Sequence, residues 1–175
     1  MENKQGTERA GMPEGSGLMA QPQKQHRWLA KFLGEWDYQV SAMMGPDKPP
    51  ETFYGTERVR PLGDFWVLAE GEGEMGCGGT ATTLMTLGYS LATRRFVGTW
   101  IGSMMPHLWV YDGELDAAEG VLTLNAQGPD MEGRMSSFRD VIEFRSDDQR
   151  VLTSYMLGAD DNWQEIMSAT YRRKK

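Results

Sequence analysis

From Gly34 to the C-terminus the chain has a period of two, broken by turn chemistry every ~10 residues, and that excludes most folds. In "GEWDYQVSA", Trp36, Tyr38, Val40 and Ala42 share one face, while Glu35, Asp37, Gln39 and Ser41 share the other. That alternation predicts a half-buried strand. Turn-forming stretches then recur: "GPDKPP", "RPLGD", "GCGG", "YSLATRR", "YDGELDAAEG", "QGPDMEG", "RSDDQR" and "GADDN". Between them lie short segments rich in Thr, Val, Ile, Phe, Tyr and Trp, which read as roughly ten strands. No second helix is long enough for a parallel crossover, so the strands pair as antiparallel neighbours. The simplest way for such a meander to lose its edges is closure into an up-and-down barrel. A barrel of about eight to ten strands encloses room for a small ligand. One short helix precedes the meander. In "QKQHRWLAKFLGEW", Trp28, Leu29, Phe32 and Leu33 have helical spacing, and Gly34 stands where a helix-ending glycine belongs. The expected architecture is all-β, with a barrel domain over residues 24–175 behind a polar leader, residues 1–23. The Gly, Pro, Gln and charged residues of the leader read as disordered.

Gly71, Gly73 and Gly76 match G-x-G-x-x-G, the spacing that cradles a dinucleotide pyrophosphate. That site needs a helix N-terminus directly after the glycines. "TATTLMTLGYS" follows instead and reads as a strand, so nucleotide binding is not expected. The glycines are expected to let a barrel strand bend (Gly71, Gly73) and to form a turn (Gly76, Gly78, Gly79).

Composition narrows the function classes. A net charge of −7 and a pI near 4.9 argue against nucleic-acid binding by phosphate neutralisation and against anionic membrane surfaces. Cys77 is the single cysteine, so no intrachain disulfide forms, and with His26 and His107 it cannot complete a four-ligand zinc site. Cys77 is expected on a turn, without a chemical role. No apolar run spans a membrane and no secretory signal is legible, so a cytoplasmic location is expected. Glycine is high at 21 of 175 residues, against a usual share of about 7%. Thirteen methionines suggest an adaptable apolar surface or cavity lining.

The helix followed by Gly34-Glu35-Trp36 resembles the G-x-W opening of lipocalin-like (calycin) barrels. That resemblance implies a helix closing one end, Trp36 entering the barrel on the first strand, and an arginine of the last strand stacked on it. "WQEIMSATYRRKK" offers Arg172 or Arg173, and Arg172 is taken as the partner, in a contact worth about 0.5–2 kcal/mol. The segments "LGEWDYQV", "LGDFWVLAEGEGEM", "LMTLGYS", "FVGTWIGSMMPHLWVYDG", "FRDVIEF" and "VLTSYMLGADDNWQEIMSATYRR" identify the chain from Gln25 to Lys175 as similar to domain of unknown function 1579, a mostly bacterial family. The resemblance implies a lipocalin-type barrel and no particular activity or cofactor.

Several residues are candidates for a site. His107, Trp109 and Tyr111 alternate onto one face. Trp109 and Tyr111 suit a cavity wall, because each has an apolar body and a polar handle. His107 is expected near the barrel mouth, hydrogen-bonded or wet. The alternative is a haem ligand, as in nitrobindin-like barrels, which needs a large apolar pocket. Trp100, between Gly98 and Gly102, packs over a bend or stacks on a flat ligand. Glu70, Glu72 and Glu74 are expected on the outer face, since three like charges in a dry interior are costly. In "FRDVIEF" the phase is open. Asp140 is a lone interior carboxylate if Phe138 points inward, Arg139 greets an anionic ligand if Val141 does, and a surface ion pair of the two is the plain alternative. Ser103 and Ser136 lack a nucleophile context.

The leading reading is a monomeric or homodimeric barrel that binds a small, mainly apolar molecule, without a cofactor. One alternative is an enzyme using an inward Glu72, Asp140, Tyr111 or His107 as acid or base. Another is a solid barrel that works through its outer face.

Overall fold

The structure is a computed structural model that describes residues 21–45, 48–76 and 78–175. Most of the expected leader, and Cys77, lie outside the described residues. The strands are β1 (Gly34–Ala42), β2 (Glu51–Leu62), β3 (Trp66–Glu74), β4 (Thr80–Ser90), β5 (Arg95–Gly102), β6 (Met105–Leu115), β7 (Val121–Pro129), β8 (Met135–Ser146), β9 (Gln149–Leu157) and β10 (Trp163–Arg173). Each pairs antiparallel with the next, and β1 pairs with β10 to close the barrel. The expected fold class is therefore the observed one. β1 keeps its expected phase, with Trp36 buried and Glu35, Asp37, Gln39 and Ser41 exposed.

The helical segment is α1 (Lys24–Trp28), which tightens into a 3-10 turn over Leu29–Phe32. His26 fastens its start. The Gln23 N–H donates to His26 Nδ1 at 2.9 Å, which leaves Nε2–H to donate to the Tyr89 carbonyl at 3.0 Å. Trp28, Leu29 and Phe32 plug one end of the barrel. The Trp28 ring meets Phe96 and Phe144, and the Phe32 ring meets Phe144, edge to face at 5.0–5.7 Å. Trp36 lies fully buried above this plug and donates its indole N–H to the Phe32 carbonyl at 2.8 Å.

The arginine stacked on Trp36 is Arg173, at 4.2 Å, and not Arg172. The β1–β10 register sets Trp36 against Arg173, while Arg172 sits opposite Asp37 on the exposed face. Arg173 also donates to the carbonyls of Leu33, Lys31 and Asp147, joining the last strand to the helical plug. Gly34 makes this possible. Its φ of +118° is strained for any residue with a Cβ, and a Cβ there would meet Arg173 Nη1 at 2.7 Å.

β3 carries no bulge at its glycines. Its register with β2 and β4 is unbroken through Gly71 and Gly73. These glycines clear space instead: a Cβ on Gly73 would strike the Tyr38 hydroxyl, and one on Gly71 would strike Thr83. The turn that follows does need glycine, with Gly78 and Gly79 at φ +86° and +91°. Glu70, Glu72 and Glu74 are exposed on the outer face, as expected.

Candidate functional site

At the end away from the helix, the inward side chains are covered less completely. Trp100, Trp109, Phe138 and Met156 point inward, set by the pairs Trp100↔Trp109 and Phe138↔Met156, yet each stays half-buried. Deeper in, Leu152, Ser154 and Asp140 are also inward and also half-buried. The inner face is thus covered by the plug at one end and partly exposed at the other, the mouth, where the half-buried side chains outline a shallow cup.

Trp109 organises the wall of the mouth. Its ring meets His107 at 4.9 Å and Phe138 at 4.8 Å, both edge to face. It also lies on Gly128, where a Cβ would collide with it. The wall is irregular here. β6 leaves register with β5 between Trp100 and Gly102, so Pro106, His107 and Leu108 bulge opposite Ile101. The β6–β7 ladder spans Asp112↔Asn125 to Leu115↔Leu122, so β6 above Asp112 meets β7 through side chains. His107 is one such bridge, with Nε2 3.1 Å from the Gln127 carbonyl oxygen.

The floor of the cup is polar. Tyr111 donates its hydroxyl to Asp140 Oδ2 at 2.5 Å, and Ser154 donates to Asp140 Oδ1 at 2.5 Å. Burial pushes the Asp140 carboxyl above its ordinary range, against the pull of its two hydroxyl donors. Burial also pushes the Tyr111 phenol well up, reinforced by the Asp140 charge beside it. Closer to the plug, Glu57 and Arg150 form an inward ion pair, and Arg150 is only 3% exposed. The Arg150 guanidinium lies over Tyr171 at 4.2 Å and Trp36 at 4.8 Å. Its Nε has no hydrogen-bond partner among the described residues. Tyr171 is pushed far above the ordinary tyrosine range by burial and by Glu57, with Arg150 acting in the opposite sense.

The structure brings Trp100, Trp109 and Tyr111 onto the inner wall and places His107 in the bulge at the mouth, against the Trp109 ring. It does not bring Arg139 there. Val141 faces outward and Phe138 inward, so Arg139 lies outside, donating to Asn125 Oδ1 at 3.2 Å with its guanidinium over Trp163 at 4.2 Å. The surface ion pair of Arg139 with Asp140 is overturned for the same reason, since the two leave the strand on opposite faces. Glu72 is exposed on the outer face, which removes it from the interior acid–base candidates. Ser154, Glu57, Arg150 and Tyr171 were not singled out from the sequence. Their signal was a polar residue breaking an apolar face, as Ser154 does between Leu152 and Met156, and it is readable only once the phase of the strand is known.

Two depressions lie outside the cup. One, about 280 Å³, runs beside the helix between Lys24, Arg94 and Glu119. The other, about 310 Å³, lies on the outer face among Arg58, Glu70, Glu72 and Lys174. Among the described residues no group of three or more His, Cys, Asp or Glu side chains is placed to hold a metal ion. No helix among them is long and apolar enough to cross a membrane.

The chain belongs to the family described as "Protein of unknown function (DUF1579)", which matches residues 21–173. No curated protein matches the sequence. Among solved structures, the chain is similar in fold to Rv2717c from M. tuberculosis, with a TM-score of 0.64 and 11% identity over 89% of this chain and 100% of that one. Weaker likenesses include EF1p2_mFAP2b bound to DFHBI, with TM-score 0.48, 11% identity, and 86% and 100% coverage. A de novo designed fluorescence-activating β-barrel has TM-score 0.46 and 12% identity, with 82% and 94% coverage.

Proposed function

We propose that this DUF1579 member binds a small amphipathic molecule, with an aromatic or apolar body between Trp100, Trp109 and Phe138 and a hydrogen-bond donor directed at Asp140. The observation that carries this reading is the Asp140 carboxyl at the base of a half-buried aromatic cup. Two hydroxyls already donate to it, one to each oxygen. A carboxylate has about four acceptor positions, so it has capacity for a hydroxyl or amine of a ligand. Aromatic walls with a few placed polar groups are what small-molecule sites use. The same proposal treats the protein as cytoplasmic, a monomer or homodimer, and needs no cofactor.

A second reading is favoured by one observation: Asp140 and Tyr111 face each other, and burial perturbs both. Such a pair suits proton transfer to or from a bound molecule. Asp140→Asn would then abolish turnover while leaving binding measurable.

Native mass spectrometry of the protein purified from cells, with an absorbance scan, tests the proposal. A colourless co-purified organic molecule, displaced by Trp109→Ala, is the expected result. An apo mass with no thermal shift across a panel of apolar aromatic compounds contradicts it. A haem band lost in His107→Ala would replace it with a haem barrel.

A further inference from the structure

Among the described residues six methionines are exposed, Met43, Met44, Met104, Met105, Met131 and Met135, and all belong to the open end. Met104 and Met105 form the tip of the β5–β6 hairpin and are 45% and 38% exposed. The Met105 sulfur accepts the Trp109 indole N–H at 3.3 Å. The Met104 sulfur and the Trp100 ring close over one point above Gly102. The Trp109 indole therefore rests against a thioether of an exposed turn. The wall that follows, Pro106 to Leu108, is the segment where β6 bulges from β5 above the last rung of its ladder with β7.

We propose that Met105 is a sulfoxidation site, and that its oxidation by a peroxide moves Trp109 and restricts entry to the cup. The restriction of entry rests on the binding reading above, but the modification does not. The chemistry balances with hydrogen peroxide as the oxidant. A sulfur lone pair attacks one peroxide oxygen, the S–O bond forms and the O–O bond breaks. Sulfur gives up two electrons, and the second oxygen leaves as water after proton transfer. The product carries an oxygen that accepts more strongly than the thioether sulfur it replaces. The Trp109 N–H follows that oxygen, drawing the ring off Gly128 and Phe138. The rim at the same place changes from apolar to polar.

The test treats the full chain with dilute hydrogen peroxide and follows it by peptide mass and tryptophan emission. Met85, inward and 9% exposed, is the internal reference. The expected result is a gain of about 16 Da at Met105 well before Met85, with an emission change over the same interval. Met105→Leu, close in volume and lacking sulfur, is expected to lose that emission change while Met104 still oxidises. Oxidation of Met105 no faster than Met85, or an equal emission change in Met105→Leu, would overturn the site. Neither readout requires a ligand, so both decide the site even if the cup binds nothing. For restriction of entry, calorimetry with 2-naphthol is expected to show several-fold weaker binding after peroxide in the wild type and none of that loss in Met105→Leu. Equal affinity before and after peroxide would overturn the restriction. Failure of the reduced protein to bind would overturn the binding reading and the restriction together.

Discussion

The two ends of the barrel use the same residue types to opposite ends. At the plugged end, Trp28, Phe32, Trp36, Phe96 and Phe144 come from the helical segment and three strands and bury one another. Their polar tips find strong acceptors: Trp28 donates to the Glu119 carbonyl and Trp36 to the Phe32 carbonyl. At the mouth, Trp100, Trp109 and Phe138 have no helix above them among the described residues and stay half-buried, and the Trp109 N–H meets a thioether, a weak acceptor. Aromatic content alone therefore does not distinguish core from site. What does is whether a second element covers the ring and whether its polar tip is well matched.

The two ends are expected to differ most when one tryptophan is truncated at each. Trp36→Ala is expected to cost about 3–5 kcal/mol of stability. Trp109→Ala is expected to cost less than about half as much, while removing aromatic ligand binding. Urea denaturation of both variants checks this, and equal losses would erase the distinction. Next in size are the fastenings of the plug. Gly34→Ala forces a Cβ into a left-handed backbone and against Arg173, a strain of about 1–3 kcal/mol. Arg173→Ala and Arg172→Ala form a matched pair. The first loses the stacking on Trp36 and three carbonyl contacts, for about 1–3 kcal/mol, while the second stays within about 0.5 kcal/mol.

A smaller effect depends on pH. The native state raises the Asp140 carboxyl, so folded protein holds that proton more tightly than the unfolded chain does. From the ordinary carboxylate range up to the raised native value, the folded state binds more protons, and this group's contribution to stability falls as pH rises. Above the native value the loss is complete. The stability of Asp140→Asn relative to wild type is therefore expected to rise across that window. A difference that stays constant with pH would show that Asp140 is not buried in the way described. The smallest expected effect is that of Arg139→Ala, which trims an outer-face contact with Trp163 and leaves ligand binding unchanged.

Much of the plugged end was legible in the sequence. The Trp28/Phe32 spacing, Gly34 and the alternation from Trp36 are local patterns, and local patterns survive without knowledge of the partner strand. The floor of the cup was not legible, because "FRDVIEF" carries apolar residues on both faces. Only the pairing of Asp140 with Leu124 on one side and Ser154 on the other decides that it points inward. The choice between Arg172 and Arg173 fails in the same way, since one residue of register across β1 and β10 exchanges them. Arg150 was hidden inside "RSDDQR", where turn chemistry masked a side chain that ends up beneath Tyr171. The space that Gly71 and Gly73 leave is needed by Thr83 and Tyr38, side chains of other strands, so nothing local in β3 reveals it.

The proposed function makes the open end a binding cup with Asp140 as the acceptor at its floor. The most direct measurement is calorimetry of wild type and Asp140→Ala with 2-naphthol and its methyl ether, which differ in the donor proton. Wild type is expected to bind 2-naphthol about tenfold more tightly than the ether, roughly the worth of one hydrogen bond to a charged group, and Asp140→Ala is expected to bind the two alike. Failure of wild type to bind either compound, or survival of the preference in Asp140→Ala, would contradict the claim.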